Sequence, residues 1–283
     1  MEDKKKNGTY EIIQVPEHTK VRFGISTDNG SYVPRHWHPA LELICLLEGS
    51  LTVLTNGREE EFHAGQCVLI SPNIPHSTKC LDKNRAILLQ IPLSFMEAWI
   101  PHIGDYYFHM PSVPSTPQER TRQDRLKELL RQMQIVDDIR PPGYVLRFQS
   151  LLFELLFQLF HSYASCTFPD TVARNTRNLE RLEPVLQYTK AHYRRPISIA
   201  EISGVACLEE GYFCRFFKKQ MGMTFLEYQN QLRLSCIYQD LLSTDDTVAA
   251  ILERHGFTNY KLFRRMFREQ FGTTPSRLRK QSR

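Results

Sequence analysis

Two stretches of the chain, residues 201–222 and 251–272, repeat one pattern of apolar and polar positions. Each stretch predicts a helix, a tight turn and a second helix. The second helix places aromatic residues at helical spacing on one side and cations on the opposite side. The aromatic residues are Phe213, Phe216 and Phe217 in the first stretch and Phe263 and Phe267 in the second. This pattern is typical of a helix-turn-helix that reads DNA with its second helix.

Capping signals indicate where these helices begin and end. Ser198 and Glu201 have the spacing of a capping box, which predicts a helix beginning at residue 199. Thr247 and Asn259 are the expected caps of the two helices in the second stretch. Gly256 is expected to end the first of these, because glycine readily takes the left-handed conformation that follows many helices.

The flanking segments complete a helical C-terminal part. Residues 167–177 are polar and predict a flexible connection, and Pro184 suits the first turn of a helix. The helix that follows the first turn is expected at residues 210–221. A longer helix, residues 224–242, leads to the second stretch, and a Thr-Pro pair at 274–275 starts one last helix.

A different pattern covers residues 21–92, where short runs of Val, Ile, Leu and Phe alternate with Gly, Pro and Asn. This pattern predicts strands. The pair Asn56-Gly57 predicts a type I′ hairpin turn, because both turn residues need a positive φ.

Polar residues cluster along these strands. His36 and His38 lie two apart and share one face of a strand, which sends Trp37 to the opposite face and under a neighbouring element. Glu42 follows four residues after His38, and His76 follows a later strand. These positions define a candidate polar site.

Between the two parts, the composition of residues 111–117 predicts a linker, and leucines at spacings of three and four predict two amphipathic helices. The spaced residues are Leu126, Leu129, Leu130 and Met133, then Leu152, Leu155, Leu156, Leu159 and Phe160. The second helix has more apolar residues than one face needs. Homodimerisation and packing against the strands both explain this excess.

Composition excludes several classes of protein. The N-terminal ten residues lack the apolar core of a secretory signal, and residues 151–160 are too short to span a bilayer. A cytoplasmic protein with no membrane contact is expected. The seven cysteines form no Cys-x-x-Cys pair, which disfavours disulfides and a thiolate zinc site, and reduced thiols are expected.

Charge separates the two parts of the chain. From residue 177 onward there are 18 Lys and Arg against 11 Asp and Glu, whereas residues 1–176 hold 18 against 20. The basic excess indicates a nucleic-acid partner for the C-terminal part.

The strand region resembles the cupin family over about seventy residues. The positions that match the first cupin motif are Gly30, His36, His38, Glu42 and Gly49, and those that match the second are Gly65 and His76. Ser71, Asn73 and Cys80 replace residues usual in the second motif. The resemblance implies a small jelly-roll barrel.

The cupin resemblance implies two roles for His36, His38, Glu42 and His76. Three imidazoles and one carboxylate suit a divalent first-row transition metal, which would be the only cofactor expected. Similar sensor cupins instead use these positions for an organic effector, and a sugar fits such a polar cavity. Both roles stay open.

The C-terminal hundred residues resemble the AraC/XylS family of bacterial transcription regulators. Matching positions are His255-Gly256-Phe257, Phe263, Phe267, Phe271-Gly272, Thr274-Pro275, Arg279, Phe217-Lys218-Lys219, Gly222 and Arg233-Leu234. Departures from the usual family residues are Ser203, Leu252, Cys207 and Glu209. A cupin-like sensor ahead of such a domain is a common arrangement in this family.

By position, the resemblance implies contacts with double-stranded DNA. The residues expected to face base edges are Gly211, Cys214, Arg215, Tyr260, Lys261, Arg264 and Arg265. Those expected to meet phosphates are Lys218, Lys219 and Arg268.

Together these observations predict an α+β multidomain chain. Residues 1–112 form a cupin-like, effector-binding jelly-roll barrel, residues 113–166 a helical linker suited to dimerisation, and residues 167–283 an all-α domain with two helix-turn-helix units. The predicted function is transcription regulation, by family habit activation with RNA polymerase as a partner. The alternative is a metal-dependent cupin enzyme or metal sensor with an attached DNA-binding domain. No catalytic residue is assigned, because no acid–base constellation accompanies the ligand set.

Overall fold

The computed structural model describes residues 13, 15–55, 57–166 and 169–281. The strands within these residues are β1 Arg22–Asp28, β2 Ser31–His36, β3 Ala40–Glu48, β4 Ser50–Thr55, β5 Arg58–His63, β6 Cys67–Ile70, β7 His76–Cys80, β8 Asn84–Pro92, β9 Tyr106–Phe108 and β10 Ala164–Cys166. The helices are α1 Leu93–Glu97, α2 Pro117–Ile139, α3 Tyr144–Tyr163, α4 Pro169–His192, α5 Ile199–Val205, α6 Glu210–Met221, α7 Phe225–Ser243, α8 Val248–Arg254, α9 Tyr260–Phe271 and α10 Pro275–Gln281.

The first eight strands form two antiparallel four-stranded sheets, in the orders β1-β8-β3-β6 and β2-β7-β4-β5. Alternate side chains of both sheets meet in one apolar cluster, which includes Leu46, Val53, Phe62 and Leu88. This β-rich domain, called the barrel below, confirms the predicted fold class. Its cluster buries the apolar faces that the alternating sequence supplies.

The predicted hairpin lies between β4 and β5. Thr55 pairs with Arg58, so two residues connect the strands, and Gly57 has a φ of +75°. Asn56 lies outside the described residues. The register of this pairing is the one that a two-residue turn gives.

The two helices of the middle region pack against the barrel. Thr116 accepts a hydrogen bond from the Glu119 amide and begins α2 with a full capping box. The buried leucines of α2 and α3 share one apolar cluster with Leu41 and Leu89 of the barrel, which confirms packing against the strands. Phe157 stays 59% exposed on α3, so the predicted dimer contact remains a prediction.

The predicted flexible connection at residues 167–177 is wrong from residue 169 onward, where α4 begins. Pro184 likewise lies inside α4 and does not begin a helix. The sequence between residues 170 and 183 contains neither glycine nor proline, so nothing ends the helix there. A proline inside a helix removes one backbone hydrogen bond, and the burial of Leu182, Val185 and Leu186 beside it offsets that loss.

The capping box predicted at Ser198 is only half formed. Ser198 Oγ accepts a hydrogen bond from the Glu201 amide and caps α5, as expected. The Glu201 carboxylate accepts its main hydrogen bonds from Arg195 and Tyr188, which compete with the Ser198 amide for it. A strong cation and a phenol compete better for a carboxylate than one backbone amide.

Two further findings concern chain class. No helix among the described residues is long and apolar enough to cross a membrane. Of the seven cysteines, Cys45, Cys67, Cys80 and Cys236 are buried and the other three are exposed. The reduced state of these thiols remains an expectation.

Candidate DNA-reading helices and barrel site

Helices α6 and α9, called the recognition helices below, begin with side-chain caps. Glu209 accepts hydrogen bonds from the amides of Gly211 at 2.9 Å and Tyr212 at 2.8 Å. These bonds hold the pKa of Glu209 below its usual value, because they favour the charged carboxylate. Asn259 Oδ1 accepts from the Leu262 amide at 2.9 Å. Glu209 therefore caps α6 in place of the shorter side chain that is usual in the family.

The turns that precede the recognition helices close in the same way. The Leu208 amide bonds the Ser203 carbonyl at 3.0 Å, and the Phe257 amide bonds the Leu252 carbonyl at 2.9 Å. Cys207 takes the left-handed conformation with a φ of +52°, where the second unit has Gly256 at +65°. The departure at Cys207 therefore changes the residue and leaves the backbone path unchanged.

The predicted contact residues lie on the surface of both recognition helices. Their aromatic faces are buried, as expected. On α6 the residues Cys214, Arg215, Lys218 and Lys219 are exposed and Gly211 is half-buried, and on α9 the residues Tyr260, Lys261, Arg264, Arg265 and Arg268 are exposed. Their contact with DNA remains a prediction.

A buried series of hydrogen bonds joins the turn after α4 to α7 and to the end of α8. Tyr193 donates to Nδ1 of His255 at 2.9 Å, and Nε2 of His255 donates to Asp240 at 2.9 Å. Arg254 adds a hydrogen bond to the same carboxylate at 2.7 Å. Burial lowers the pKa of His255 despite this carboxylate, so the ring is neutral. A neutral ring has one donor nitrogen and one acceptor nitrogen, as these two hydrogen bonds require.

In the barrel, the structure brings the four predicted site residues together. His36, His38 and His76 are buried, and one ligand atom of each lies within 4.8 Å of the other two. Glu42 Oε2 lies 2.6 Å from Nε2 of His38 and 3.6 Å from Nε2 of His76. The cluster combines residues of β2, β3 and β7 with the segment between β2 and β3.

The ring orientation of each histidine is fixed by a backbone carbonyl. Nδ1 of His36 bonds Pro34 O at 3.0 Å, that of His38 bonds Ala40 O at 3.1 Å, and that of His76 bonds Ile74 O at 2.8 Å. Because a carbonyl only accepts, each Nδ1 carries the hydrogen. The nitrogen left to serve as a ligand is therefore Nε2 in all three rings.

Electrostatics inside the cluster favour cation binding. Burial raises the pKa of Glu42, but hydrogen bonds from His38 and His76 outweigh burial and hold it well below its usual value. Burial, with the nearby His76 and His38, lowers the pKa of His36 well below its usual value. A charged Glu42 carboxylate and a neutral His36 ring are the protonation states in which these side chains bind metals. The donor set therefore fits a divalent transition ion.

Both parts of the chain match known protein families. Residues 202–281 match a family described as a helix-turn-helix domain, and residues 26–92 match the cupin domain family. The probable transcriptional regulator LumQ of Photobacterium leiognathi is 24% identical over 245 residues, which cover 86% of this chain and 90% of LumQ. The chain is a transcriptional regulator that carries an AraC-type helix-turn-helix domain and a cupin domain.

Two other comparisons extend over most of this regulator. The HTH-type transcriptional regulator YobQ of Bacillus subtilis is 22% identical over 247 residues, which cover 85% of this chain and 86% of YobQ. The crystal structure of ToxT from Vibrio cholerae O395 is 13% identical, with a TM-score of 0.48 over 92% of this chain and 97% of that chain.

Sequence reasoning missed one exposed residue and one buried contact of the regulator. Tyr212 is 46% exposed near the start of α6 and stacks on Phe216, next to the predicted base-facing residues. Its place between the cap and the buried Phe213 could have revealed it. Tyr32 and Arg35 of β2 pack against the helical domain, and nothing in the sequence pattern indicates this contact.

Proposed function

We propose that this regulator binds double-stranded DNA through both recognition helices and that the barrel cluster binds the small-molecule effector that controls it. The observation that supports the DNA contact is that α6 and α9 expose cationic residues at corresponding positions. An isolated exposed cation is usually only solvated, but two capped helices with matching cationic faces are the layout of a DNA reader.

The roles of the exposed residues follow from their chemistry. Arg215, Arg264 and Arg265 pair with guanine edges in the major groove, because guanidinium offers two parallel donors to O6 and N7. Lys218, Lys219 and Arg268 neutralise phosphates and supply affinity without sequence information. Two units in one chain then contact successive major grooves on one side of the duplex, and we propose activation through RNA polymerase as its outcome.

The buried cluster of His36, His38, Glu42 and His76 supports the effector site. Four polar side chains that converge inside an apolar barrel offer donors and acceptors to a small polar ligand, as the polar groups of binding pockets do. A sugar offers hydroxyls that both donate and accept. Ligand binding here acts on β2, the strand that carries His36 and also contacts the helical domain.

A second candidate occupant is a divalent transition-metal ion. It is favoured by one observation, the three Nδ1 atoms that donate to backbone carbonyls and leave Nε2 as the ligand nitrogen. When bound, such an ion would balance the buried charge of Glu42 and hold side chains of three strands together. A metal bound to Nε2 of His38 would replace the hydrogen bond between that nitrogen and Glu42.

The DNA contact is tested by selection of duplexes from a random-sequence library with the full chain. We expect enrichment of a sequence with two half-sites about one helical turn apart and an affinity that falls steeply with salt. Failure to enrich any sequence at low salt would contradict the proposal.

The barrel site is tested by the metal content of protein purified without chelator or affinity metal. Near-stoichiometric metal that is lost in His36→Ala/His38→Ala supports the metal candidate. Without metal, thermal shift with sugars and sugar phosphates tests the organic effector, and the same double variant is the control. Stabilisation by none of these ligands, together with no metal, would contradict an effector site here.

A further inference from the structure

One strand of the barrel touches both helix-turn-helix units. Tyr32 of β2 is 5% exposed and belongs to the apolar cluster of the second unit, with Phe263, Phe267 and Phe271 of α9. Trp37, just after β2, is 1% exposed and belongs to the cluster of the first unit, with Phe213 and Phe217 of α6. This confirms that Trp37 packs under a neighbouring element. The two side chains are five positions apart, about 16 Å along an extended strand.

The contact with the second unit is specific and polar as well as apolar. The Tyr32 hydroxyl donates to Gln231 Oε1 at 2.8 Å, and the Tyr32 carbonyl accepts from Ser235 Oγ at 2.7 Å. Its ring meets the edge of Phe271, the last residue of α9, at 6.3 Å. Strand β2 is therefore fixed both to the connecting helix α7 and to the end of the second recognition helix.

The contact of β2 with the first unit also lies at the C-terminal end of the recognition helix, here α6. Gly222 ends α6 with a φ of +71°, and a Cβ at this glycine would lie 3.2 Å from Nη1 of Arg35. Arg35 is 7% exposed, and its cation lies at the end of α6 where the helix dipole is negative. Both recognition helices thus end against β2.

Two other parts of the chain connect the units near their inner ends. Helix α7 gives Phe225 and Tyr228 to the first cluster and Leu234, Ile237 and Tyr238 to the second. The segment after α4 contacts the second unit through Tyr193, which bonds His255, and Arg194, whose carbonyl lies against Gly256. A single helix of 19 residues is about 28 Å long and can curve. Strand β2 adds a connection at the far ends of both recognition helices and so restrains the distance and rotation between them.

We propose that Tyr32, Arg35 and Trp37 are positioning residues that set the spacing between α6 and α9, and so determine which half-site spacing the regulator accepts. This inference rests on the proposed contact of both helices with DNA. One base pair more or less moves a half-site by about 3.4 Å and about 35° around the duplex axis. Such a change is larger than the movement between α6 and α9 that we expect while both helix ends stay in contact with β2.

The same strand carries His36 on the face that lines the barrel cluster. Between Val33 and His36 the pairing of β2 with β7 is irregular, since two steps on β7 correspond to three on β2. This bulge holds Arg35 against the helical domain and His36 towards the cluster. The positioning residues and the candidate ligand site therefore share one short segment of chain.

The test measures the affinity of the full chain for the duplex selected by the wild type and for duplexes with one base pair added or removed between the half-sites. The Tyr32→Phe/Ser235→Ala variant removes two hydrogen bonds and keeps the core volume. Trp37→Phe is a second, independent variant. Tyr163→Phe is the matched control, because Tyr163 is 7% exposed and packs in the cluster of α2 and α3.

We expect the wild type and the control to prefer the selected spacing by about tenfold or more. The positioning variants should prefer it by about threefold or less, with little change in affinity for a duplex that holds one half-site. An unchanged spacing preference in both folded variants would overturn the inference. Equal loss for all duplexes, including the single half-site, would also overturn it, because that result indicates only a structural role. If the wild type selects no duplex, the proposed DNA contact itself fails.

Discussion

The two helix-turn-helix units share a backbone and differ in the residues at the turn, the cap and the contact face. The first unit turns at Cys207, which is exposed, and the second turns at Gly256, which packs against the Arg194 carbonyl. The first recognition helix is capped by a charged glutamate and the second by a neutral asparagine. The comparison shows that aromatic spacing and the pattern of backbone bonds determine this fold, while the local surroundings decide which side chains each position accepts.

The largest expected effect distinguishes the two turns. A Cβ at residue 256 would lie 1.5 Å from the Arg194 carbonyl oxygen, at a φ of +65° that already disfavours a side chain. Gly256→Ala should therefore lower the free energy of unfolding by about 3 kcal/mol or more. Cys207→Gly, at the matching position, should change it by about 1 kcal/mol or less. Urea denaturation of both variants checks this, and equal effects would show that the two turns are equivalent.

A smaller effect is expected at the caps. Asn259→Ala removes the bond to the Leu262 amide and should lower the free energy of unfolding by about 1 kcal/mol at any salt concentration. Glu209→Ala should also destabilise the chain, by an amount that shrinks as salt increases, because part of the cap is the attraction between a carboxylate and the helix N-terminus. Denaturation at low and high salt checks both. The same salt dependence for the two variants would contradict the distinction.

The smallest effect concerns pH. The pKa of His255 is lowered in the fold by burial, so the unfolded chain binds a proton more readily than the folded chain as pH falls below about 6.5. Wild-type stability should therefore fall between that pH and the lowered pKa. His255→Gln removes the titrating ring and should therefore make the loss of stability smaller, while other buried groups such as His36 keep their share of it. Urea denaturation at several pH values tests the difference, and parallel curves for the two proteins would contradict it.

Much of the helical domain could be predicted from sequence because its signals are local. Caps at Thr247 and Asn259, and the glycine after α8, involve residues three or four apart. Ser198 and Glu201 correctly predicted the helix that begins at residue 199. Pro184 was predicted wrongly, because a proline is tolerated inside α4 beside a packed core. The partners of the Glu201 carboxylate, Tyr188 of α4 and Arg195 after it, were not visible from the capping signal.

The barrel site shows the same division. Strand parity was enough to place His36 and His38 on one face and Trp37 on the other. The motif spacing indicated that Glu42 and His76 would join them, as the structure shows. What parity could not supply was the partner of Trp37, because the first unit lies more than 140 residues away along the chain. The connection between ligand site and recognition helices is visible only in three dimensions.

The central claim is that both recognition helices contact DNA, and the most direct test is the affinity of three arginine variants for the duplex selected by the wild type. Arg215→Ala and Arg265→Ala each remove one exposed guanidinium, and Arg131→Ala on α2 is the matched control outside the helical domain. We expect each of the first two to weaken specific binding by about 1–3 kcal/mol, roughly fivefold to 150-fold. Binding to an unrelated duplex should change far less, and the control should be unchanged. Unchanged specific affinity in both Arg215→Ala and Arg265→Ala would contradict the account.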